Sequence, residues 1–274
     1  MSTRRPAIRT KGQRPPGVSD ALNIPSQWLR LKGLDIHYKC LGEGPPVILI
    51  HGHGNDWHEW RENIPRIALS RQVYALDMPG FGLSQPYDLP LSVPWSVAFL
   101  ADFMGLVEIP QASLVGHSLG GLVALSFALR YPERVLKLAL VDSAGLGEMD
   151  IKARLYLPLL RGVERVISGK KYPRISHMSS QDRSSLARQL PGLKPDTMII
   201  WGRNDRYLHV SHGELAHLLI PNSTLHIFPG CGHAPQRESP EEFNHLICQF
   251  LGRSDIPQDH QDLLGLFSEP EICH

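Results

Sequence analysis

The pattern with the clearest chemistry is G-x-S-x-G, which residues 116–121 (GHSLGG) contain around Ser118. A strand-like apolar run at residues 112–115 precedes it, and a helical stretch at residues 119–131 follows it. A serine on such a turn needs a strained backbone, and the flanking glycines remove side chains that would clash there. The turn presents the hydroxyl beside a helix N-terminus, which favours developing negative charge. This context predicts that Ser118 is a nucleophile.

A serine hydroxyl near neutral pH needs a base, and the base needs an acid that orients it. His233 follows the strand-like run 225–228 through a glycine-rich loop, and Asp205 follows the run 198–201. Asp142 also ends a strand-like run, at residues 136–141, so it remains an alternative for the acid. The chain order Ser118, Asp205, His233 is typical of triads built on a turn of this kind.

Short strands that alternate with helices must position these side chains. Apolar runs at residues 47–50, 73–76, 112–115, 136–141, 198–201 and 225–228 fit strands covered on both faces. Residues 28–31 and 34–40 predict an antiparallel hairpin at the sheet edge. Helices are expected at 94–106, at 119–131 and after Ser239, which with Glu242 forms a capping box for a helix that Gly252 ends. The sequence predicts an α/β fold with a mostly parallel, doubly wound sheet.

One segment, residues 146–195, interrupts this alternation because it has helical periodicity but no convincing strand. We expect a small helical lid there, with a kink at Pro158. The first residues are basic and lack the apolar stretch of a secretory signal. The expected organisation is a disordered basic tail (1–26), an α/β core (27–145 and 196–252), the lid (146–195) and a flexible C-terminal tail (253–274).

Composition limits the classes of partner. The 274 residues include 28 basic and 27 acidic side chains, and a net charge of +1 gives no overall attraction to nucleic acid or anionic membranes. No apolar run reaches the ~18 residues that span a bilayer. We expect a cytoplasmic monomer or homodimer that acts on a small-molecule acyl substrate. No nucleic-acid partner, stable membrane insertion, metal or organic cofactor is expected.

Five pieces of the chain, in this order, resemble the α/β-hydrolase-fold family, and the resemblance covers roughly residues 28 to 251. The pieces are residues 51–52 (HG) after a strand, 77–84 (DMPGFGLS), 116–121, 201–205 (WGRND) and 232–233 (GH). The resemblance implies an α/β-hydrolase fold with a lid. It also implies that Ser118 is the nucleophile, Asp205 the acid and His233 the general base.

Acyl transfer also needs hydrogen-bond donors for the tetrahedral oxyanion. We expect the main-chain N–H of Leu119, directly after the nucleophile, to be one donor. The resemblance implies that the second donor comes from the loop after residues 51–52, most simply the N–H of His53.

Two other classes of function stay open. His51, His53, Asp56 and His58 partly match the H-x-H-x-D-H run of binuclear metallohydrolases, with spacing one residue too long at two places. A small-ligand receptor with slow hydrolase activity would show the same sequence motifs as a serine hydrolase.

The serine-hydrolase hypothesis itself covers several substrates. We expect cleavage of a small or medium carboxylic ester or thioester. Carbon–carbon bond hydrolysis of a β-diketone or ring-fission product, and acyl transfer, are alternatives because pocket shape and not motif sets the substrate.

Overall fold

The computed structural model of the protein describes residues 24–87, 89–148, 150, 172–173 and 180–252. Within these residues an eight-stranded sheet forms the centre of the fold. The strands are β1 (Ser26–Leu31), β2 (Leu34–Leu41), β3 (Pro46–Ile50), β4 (Gln72–Leu76), β5 (Ala112–His117), β6 (Val135–Val141), β7 (Asp196–Gly202) and β8 (Ser223–Phe228). Their order in the sheet is β1-β2-β4-β3-β5-β6-β7-β8. β1–β2 and β2–β4 are antiparallel and all other neighbours are parallel.

Five helices of the described residues lie between the parallel strands, and two more follow the last strand. They are α1 (Ile64–Ala68), α2 (Val93–Leu106), α3 (Leu119–Arg130), α4 (Ser180–Gln189), α5 (Ser211–Leu219), α6 (Pro235–Glu238) and α7 (Pro240–Leu251). Short 3-10 turns lie at Trp57–Trp60, Pro132–Arg134 and Leu190–Gly192. In the part of the chain that the structure describes, no helix has the length and apolar character needed to cross a membrane.

Two apolar clusters cover opposite faces of the sheet. In β3, Ile48 and Ile50 belong to one cluster, whereas Val47 and Leu49 belong to the other. All four side chains are fully buried, as alternation along a strand in the middle of a sheet requires. Because parallel strands end at one edge, the loops after β3, β5, β6, β7 and β8 meet there. The side chains predicted to do chemistry lie on these loops.

The predicted fold class is confirmed, together with the hairpin and the six later strands. One detail was wrong, because the Ser239 side chain makes no capping hydrogen bond to α7. Ser239 also ends α6, and its N–H donates to the main-chain oxygen of Pro235 at 2.9 Å. With φ −138° and ψ 63°, its hydroxyl instead lies 3.3 Å from Glu242 Oε2.

The predicted segment boundaries remain predictions. The basic tail up to residue 23, residues 253–274 and most of the lid range, including Pro158, lie outside the described residues. Within the lid range, α4 and the turn after it are described. Their Leu186, Leu190 and Leu193 are buried in the apolar cluster that also contains the side chains of α3.

Candidate active site

Ser118 lies alone between the last residue of β5 and the first residue of α3. Its φ of 51° and ψ of −113° are rare for a residue with a side chain and cost about 1–3 kcal/mol. Two main-chain hydrogen bonds hold the strained turn in place. The Ser118 N–H donates to the oxygen of Val141 at 2.9 Å, and the Ser118 oxygen accepts the N–H of Ala144 at 2.9 Å. The sequence context therefore folds as predicted for a nucleophile turn.

Two glycines permit the close approach of main chains around this turn. A Cβ on Gly120 would overlap the main-chain oxygen of Ile50, so the first turn of α3 can lie directly against the end of β3. A Cβ on Gly202, at the end of β7, would overlap the main-chain oxygen of Gly232. The second contact brings the loop that carries Asp205 against the loop that carries His233.

The structure brings the three predicted side chains into one chain of hydrogen bonds. His233 Nδ1 lies 2.7 Å from Asp205 Oδ2, and because a carboxylate only accepts, the ring nitrogen donates. Nε2 is then the free acceptor, and the Ser118 hydroxyl donates to it at 3.1 Å. Asp205 Oδ1 is fixed in turn by the N–H groups of Tyr207 at 2.7 Å and Leu208 at 3.1 Å. This arrangement can remove the proton from the hydroxyl and return it to a leaving group.

The protonation states suit this role. Burial alone would raise the pKa of the Asp205 carboxyl, but the hydrogen bond and charge of His233 and two main-chain N–H groups hold that pKa below its ordinary value. Burial lowers the pKa of His233, against the opposing effect of its hydrogen bond to Asp205. Near neutral pH the site therefore contains an ionised Asp205 and a neutral His233 that can accept a proton.

Asp142, the alternative acid, lies immediately behind Asp205. One carboxylate oxygen of Asp142, one of Asp205 and one ring nitrogen of His233 all lie within 4.8 Å of one another. Asp142 Oδ1 accepts the N–H of Gly202 at 3.0 Å, whereas no described group donates to Oδ2. Burial and the charge of Asp205 raise the pKa of the Asp142 carboxyl well above its ordinary value. The geometry thus favours Asp205 as the acid that contacts the histidine.

The two expected oxyanion donors lie on either side of Ser118. Leu119 begins α3, so its N–H has no acceptor within the helix. The loop with His53 also approaches the turn, since a Cβ on Gly52 would lie 3.3 Å from Ser118 Cβ. The Gly52 N–H itself is bound to Glu59 Oε2 at 2.7 Å, which leaves His53 as the next donor along the loop. The donor roles of Leu119 and His53 remain predictions.

Three residues next to the triad were missed in the sequence. The Tyr207 ring lies 5.0 Å from the His233 ring, centroid to centroid, and the His117 ring lies 4.8 Å from it. Glu59 is buried behind His117. The sequence could have indicated His117, which directly precedes Ser118, and Tyr207, which lies two residues after Asp205. It gave no indication of Glu59, because a carboxylate between aromatic residues usually lies on the surface.

The alternative metal run does not form a cluster. His51 Nε2 accepts the N–H of Met78 at 3.0 Å, and His58 Nδ1 lies 2.7 Å from Asp56 Oδ1. His53 Nε2 instead donates to the main-chain oxygen of Pro173 at 3.3 Å. Among the described residues these four side chains do not converge on one point.

Comparisons with known proteins agree with this geometry. A family model described as the alpha/beta hydrolase fold matches residues 45–165. The chain is 31% identical over 274 residues to a 2-hydroxy-6-oxo-6-phenylhexa-2,4-dienoate hydrolase from Burkholderia cepacia, with 81% of this chain and 92% of that protein covered. It is 29% identical over 262 residues to a 2-hydroxy-6-oxo-2,4-heptadienoate hydrolase from Pseudomonas putida, covering 81% and 95%.

A solved structure is similar over a comparable share of the chain. It is a meta-cleavage product hydrolase from Pseudomonas fluorescens, with a TM-score of 0.67 and 28% identity, covering 84% of this chain and 98% of that one. Together with the strand order and the turn at Ser118, these matches show that the chain belongs to the α/β-hydrolase-fold family of hydrolases.

Proposed function

We propose that the protein is a serine hydrolase that cleaves a bond next to a carbonyl group through an acyl-enzyme on Ser118. The observation that carries this proposal is the continuous hydrogen-bonded chain from Ser118 Oγ through the His233 ring to Asp205 Oδ2, with distances of 3.1 and 2.7 Å. Three groups from three separate loops meet in the order that nucleophilic catalysis needs. A scaffold that only holds a ligand would have no need of this alignment.

In the proposed reaction, Ser118 Oγ attacks the substrate carbonyl carbon while His233 Nε2 takes the hydroxyl proton. Asp205 stabilises the imidazolium that results, and the N–H groups of Leu119 and His53 bind the oxyanion. The bond to the leaving group breaks as His233 delivers the proton to that group. Water, activated by the same histidine, then attacks the acyl-enzyme and restores the Ser118 hydroxyl.

For the substrate class, we favour hydrolysis of a carbon–carbon bond in a keto acid of the 2-hydroxy-6-oxo-dienoate type. The support is the 29–31% identity to two hydrolases named for such compounds. A proton first moves from the 2-hydroxyl group to C5 of the substrate, which gives the keto tautomer. The electron pair of the broken C5–C6 bond then stays on C5 as a dienolate conjugated with the 2-keto group and takes up the proton from His233, and the C6 half leaves the acyl-enzyme as a carboxylic acid. Ester hydrolysis, which we expected first from the sequence, uses the same steps with an oxygen leaving group.

The decisive experiment combines labelling with a substrate panel. Purified protein is treated with a fluorophosphonate probe, and turnover is measured on 6-methyl and 6-phenyl 2-hydroxy-6-oxo-dienoates and on p-nitrophenyl esters of increasing chain length. We expect labelling and dienoate turnover in the wild type. Ser118→Ala should abolish labelling and lower kcat by several orders of magnitude.

Ser223→Ala is a matched control, since Ser223 begins β8 at the opposite edge of the sheet and should leave labelling unchanged. Turnover of esters without any dienoate would restore the ester hypothesis. A folded wild type that neither labels nor turns over any member of the panel would overturn the enzyme proposal in favour of a receptor.

A further inference from the structure

A second acid–histidine pair lies directly behind the triad. Glu59 belongs to the 3-10 turn after β3, and His117 is the last residue of β5. Glu59 Oε1 lies 2.8 Å from His117 Nδ1, and the two side chains are 0% and 3% exposed. The ring N–H is not aligned well enough with Oε1 for a good hydrogen bond, so the contact is an ion pair at short range. Neither residue has a role in the triad chemistry described above.

The neighbours of the pair define its protonation. His117 Nε2 lies 2.6 Å from the main-chain oxygen of His233, which only accepts, so Nε2 is protonated. Glu59 accepts the N–H of Gly52 at 2.7 Å and the amide of Asn55 at 2.7 Å, as a carboxylate does. An unprotonated Nδ1 would set its lone pair against this carboxylate. His117 is therefore an imidazolium.

The electrostatics of the pair agree with this assignment. Burial alone would lower the pKa of His117, but the charge of Glu59 and the hydrogen bond to the His233 carbonyl raise it above its ordinary value. Burial would raise the pKa of Glu59, but the His117 charge and the N–H of Gly52 hold it below its ordinary value.

The pair also contacts three of the four loops that supply a proposed catalytic group. Glu59 holds the N–H of Gly52, the residue before His53 in the proposed oxyanion loop. His117 directly precedes Ser118 and holds the main-chain oxygen of His233. One buried ion pair thus joins the nucleophile turn, the oxyanion loop and the loop of the general base.

We propose that the Glu59–His117 ion pair is a positioning device, and that its imidazolium, 4.8 Å from the His233 ring, keeps that ring unprotonated on the acid side of neutrality. The inference rests on the proposed function and deepens it. A base that stays neutral at lower pH keeps the hydrolase active over a wider acid range.

Some charged groups near His233 favour protonation of its ring and others oppose it. His117, from β5, opposes its protonation, while Asp205 and the more distant Glu59 favour it. Asp142, from β6, lies within 4.8 Å but is the protonated member of its pair with Asp205. Glu238, from α6, is bound to the N–H groups of Gly232 and Ala234. Among these groups, His117 is the cation.

The test is the double variant Glu59→Gln/His117→Gln, in which two neutral amides can keep the hydrogen bonds to Gly52 and His233 without charge. We expect the acid limb of the kcat/KM profile to move up by about 1 pH unit, the size expected for a nearby charge partly offset by its counter-ion. Because the variant lacks the ion-pair attraction that draws the three loops together, kcat should also fall by about 10-fold with little change in KM. A merely structural pair would change stability and leave the acid limb where it is.

His226→Gln/Glu242→Gln is the matched control. This histidine–glutamate pair has a separation of 3.3 Å but lies on the surface, 39% and 53% exposed, and should leave the pH profile unchanged. An active, folded Glu59→Gln/His117→Gln protein whose acid limb matches the wild type would overturn the inference. A wild type without turnover or labelling would instead refute the proposed function itself.

A second measurement does not depend on that variant folding or on activity. In Ser118→Ala protein with ¹⁵N-labelled histidine, both ring nitrogens of His117 should keep imidazolium shifts to a higher pH than those of free histidine, assigned by comparison with His117→Gln. A His117 ring that becomes neutral at or below the pH at which free histidine does would contradict the proposal.

Discussion

Two buried acids share the space behind His233, and they differ in what donates to them. Asp205 receives the histidine N–H and two main-chain N–H groups. Asp142 receives the Gly202 N–H alone on Oδ1. Two carboxylates so close together and away from water cannot both ionise, so the one with more hydrogen-bond donors, Asp205, carries the charge. Asp142 then acts as a neutral acid that can donate its proton toward Asp205.

The amide variants of the two acids should therefore behave differently. Asp142→Asn mimics a neutral acid and should keep kcat/KM within a few-fold of wild type. Asp205→Asn removes the acceptor that orients His233 and should lower kcat on the order of 10³–10⁴-fold. Steady-state kinetics on the best substrate of the panel measures both. Equal losses in the two variants would contradict the assignment of Asp205 as the orienting acid.

Asp142→Asn should also stabilise the protein at neutral pH. The pKa of Asp142 is raised in the folded state from its ordinary value of 3.8. Above about pH 4 unfolding therefore releases a proton, which lowers stability as the pH rises toward the folded-state pKa. Asparagine removes this effect. Urea denaturation at pH 4 and pH 7 should show the variant gaining stability over wild type at pH 7 only.

Between β5 and α3, a single residue reverses the chain direction, and the reversal needs α3 to lie against β3. Gly120 makes that approach possible, because any Cβ there would overlap the Ile50 oxygen. The strained Ser118 is held by the hydrogen bonds of the same turn to the ends of neighbouring elements. The geometry of the nucleophile is thus a property of two elements packed at close range.

Gly120→Ala should force α3 away from β3. We expect a loss of about 2–3 kcal/mol in the free energy of unfolding, together with reduced activity as Ser118 moves. Gly105→Ala is the matched control, since Gly105 lies in α2 with open space around it and should gain about 0.5–1 kcal/mol. Chemical denaturation followed by circular dichroism measures both, and equal stability of the two variants would refute the close-packing argument.

Most elements could be predicted because their local pattern matched their burial. The strands that precede Ser118, Asp142 and Asp205 are mainly apolar and are buried over most of their length, as the middle of a parallel sheet requires. In α5, by contrast, Leu215 and Leu218 are 48% and 81% exposed, so its apolar residues do not mark a buried face.

The triad could be predicted because each member lies on the turn or loop that follows a recognisable strand, whereas Glu59 could not. Its burial depends on His117, a residue far away in the sequence, and the local pattern of apolar and polar residues around Glu59 does not indicate a partner so distant. The absent cap at Ser239 has a similar cause, because two adjoining helices share that residue.

For the whole molecule, the same strands supply both apolar clusters. Ile48 belongs to the cluster on one face and Ile200 to the cluster on the other, and both side chains are fully buried. A sheet with such alternation cannot lose one face and keep the other, so the described fold should unfold as one cooperative unit.

Ile48→Val and Ile200→Val test this cooperativity. Each should lower the free energy of unfolding by about 1 kcal/mol, and the double variant by the sum, because the two sites are on well-separated strands. Tryptophan fluorescence and far-UV circular dichroism should give one coincident transition in all three proteins. Separate transitions for the two probes would show that the faces unfold independently.

The close approach at Gly202 has a consequence for directed evolution toward new substrates. In a library that randomises residues 120 and 202, every variant other than glycine would place a Cβ against a main-chain oxygen. Tyr207, half-buried with its ring 5.0 Å from that of His233, already has a side chain next to the general base. We therefore expect selection for an altered substrate range to yield variants at position 207 and to leave the two glycines unchanged.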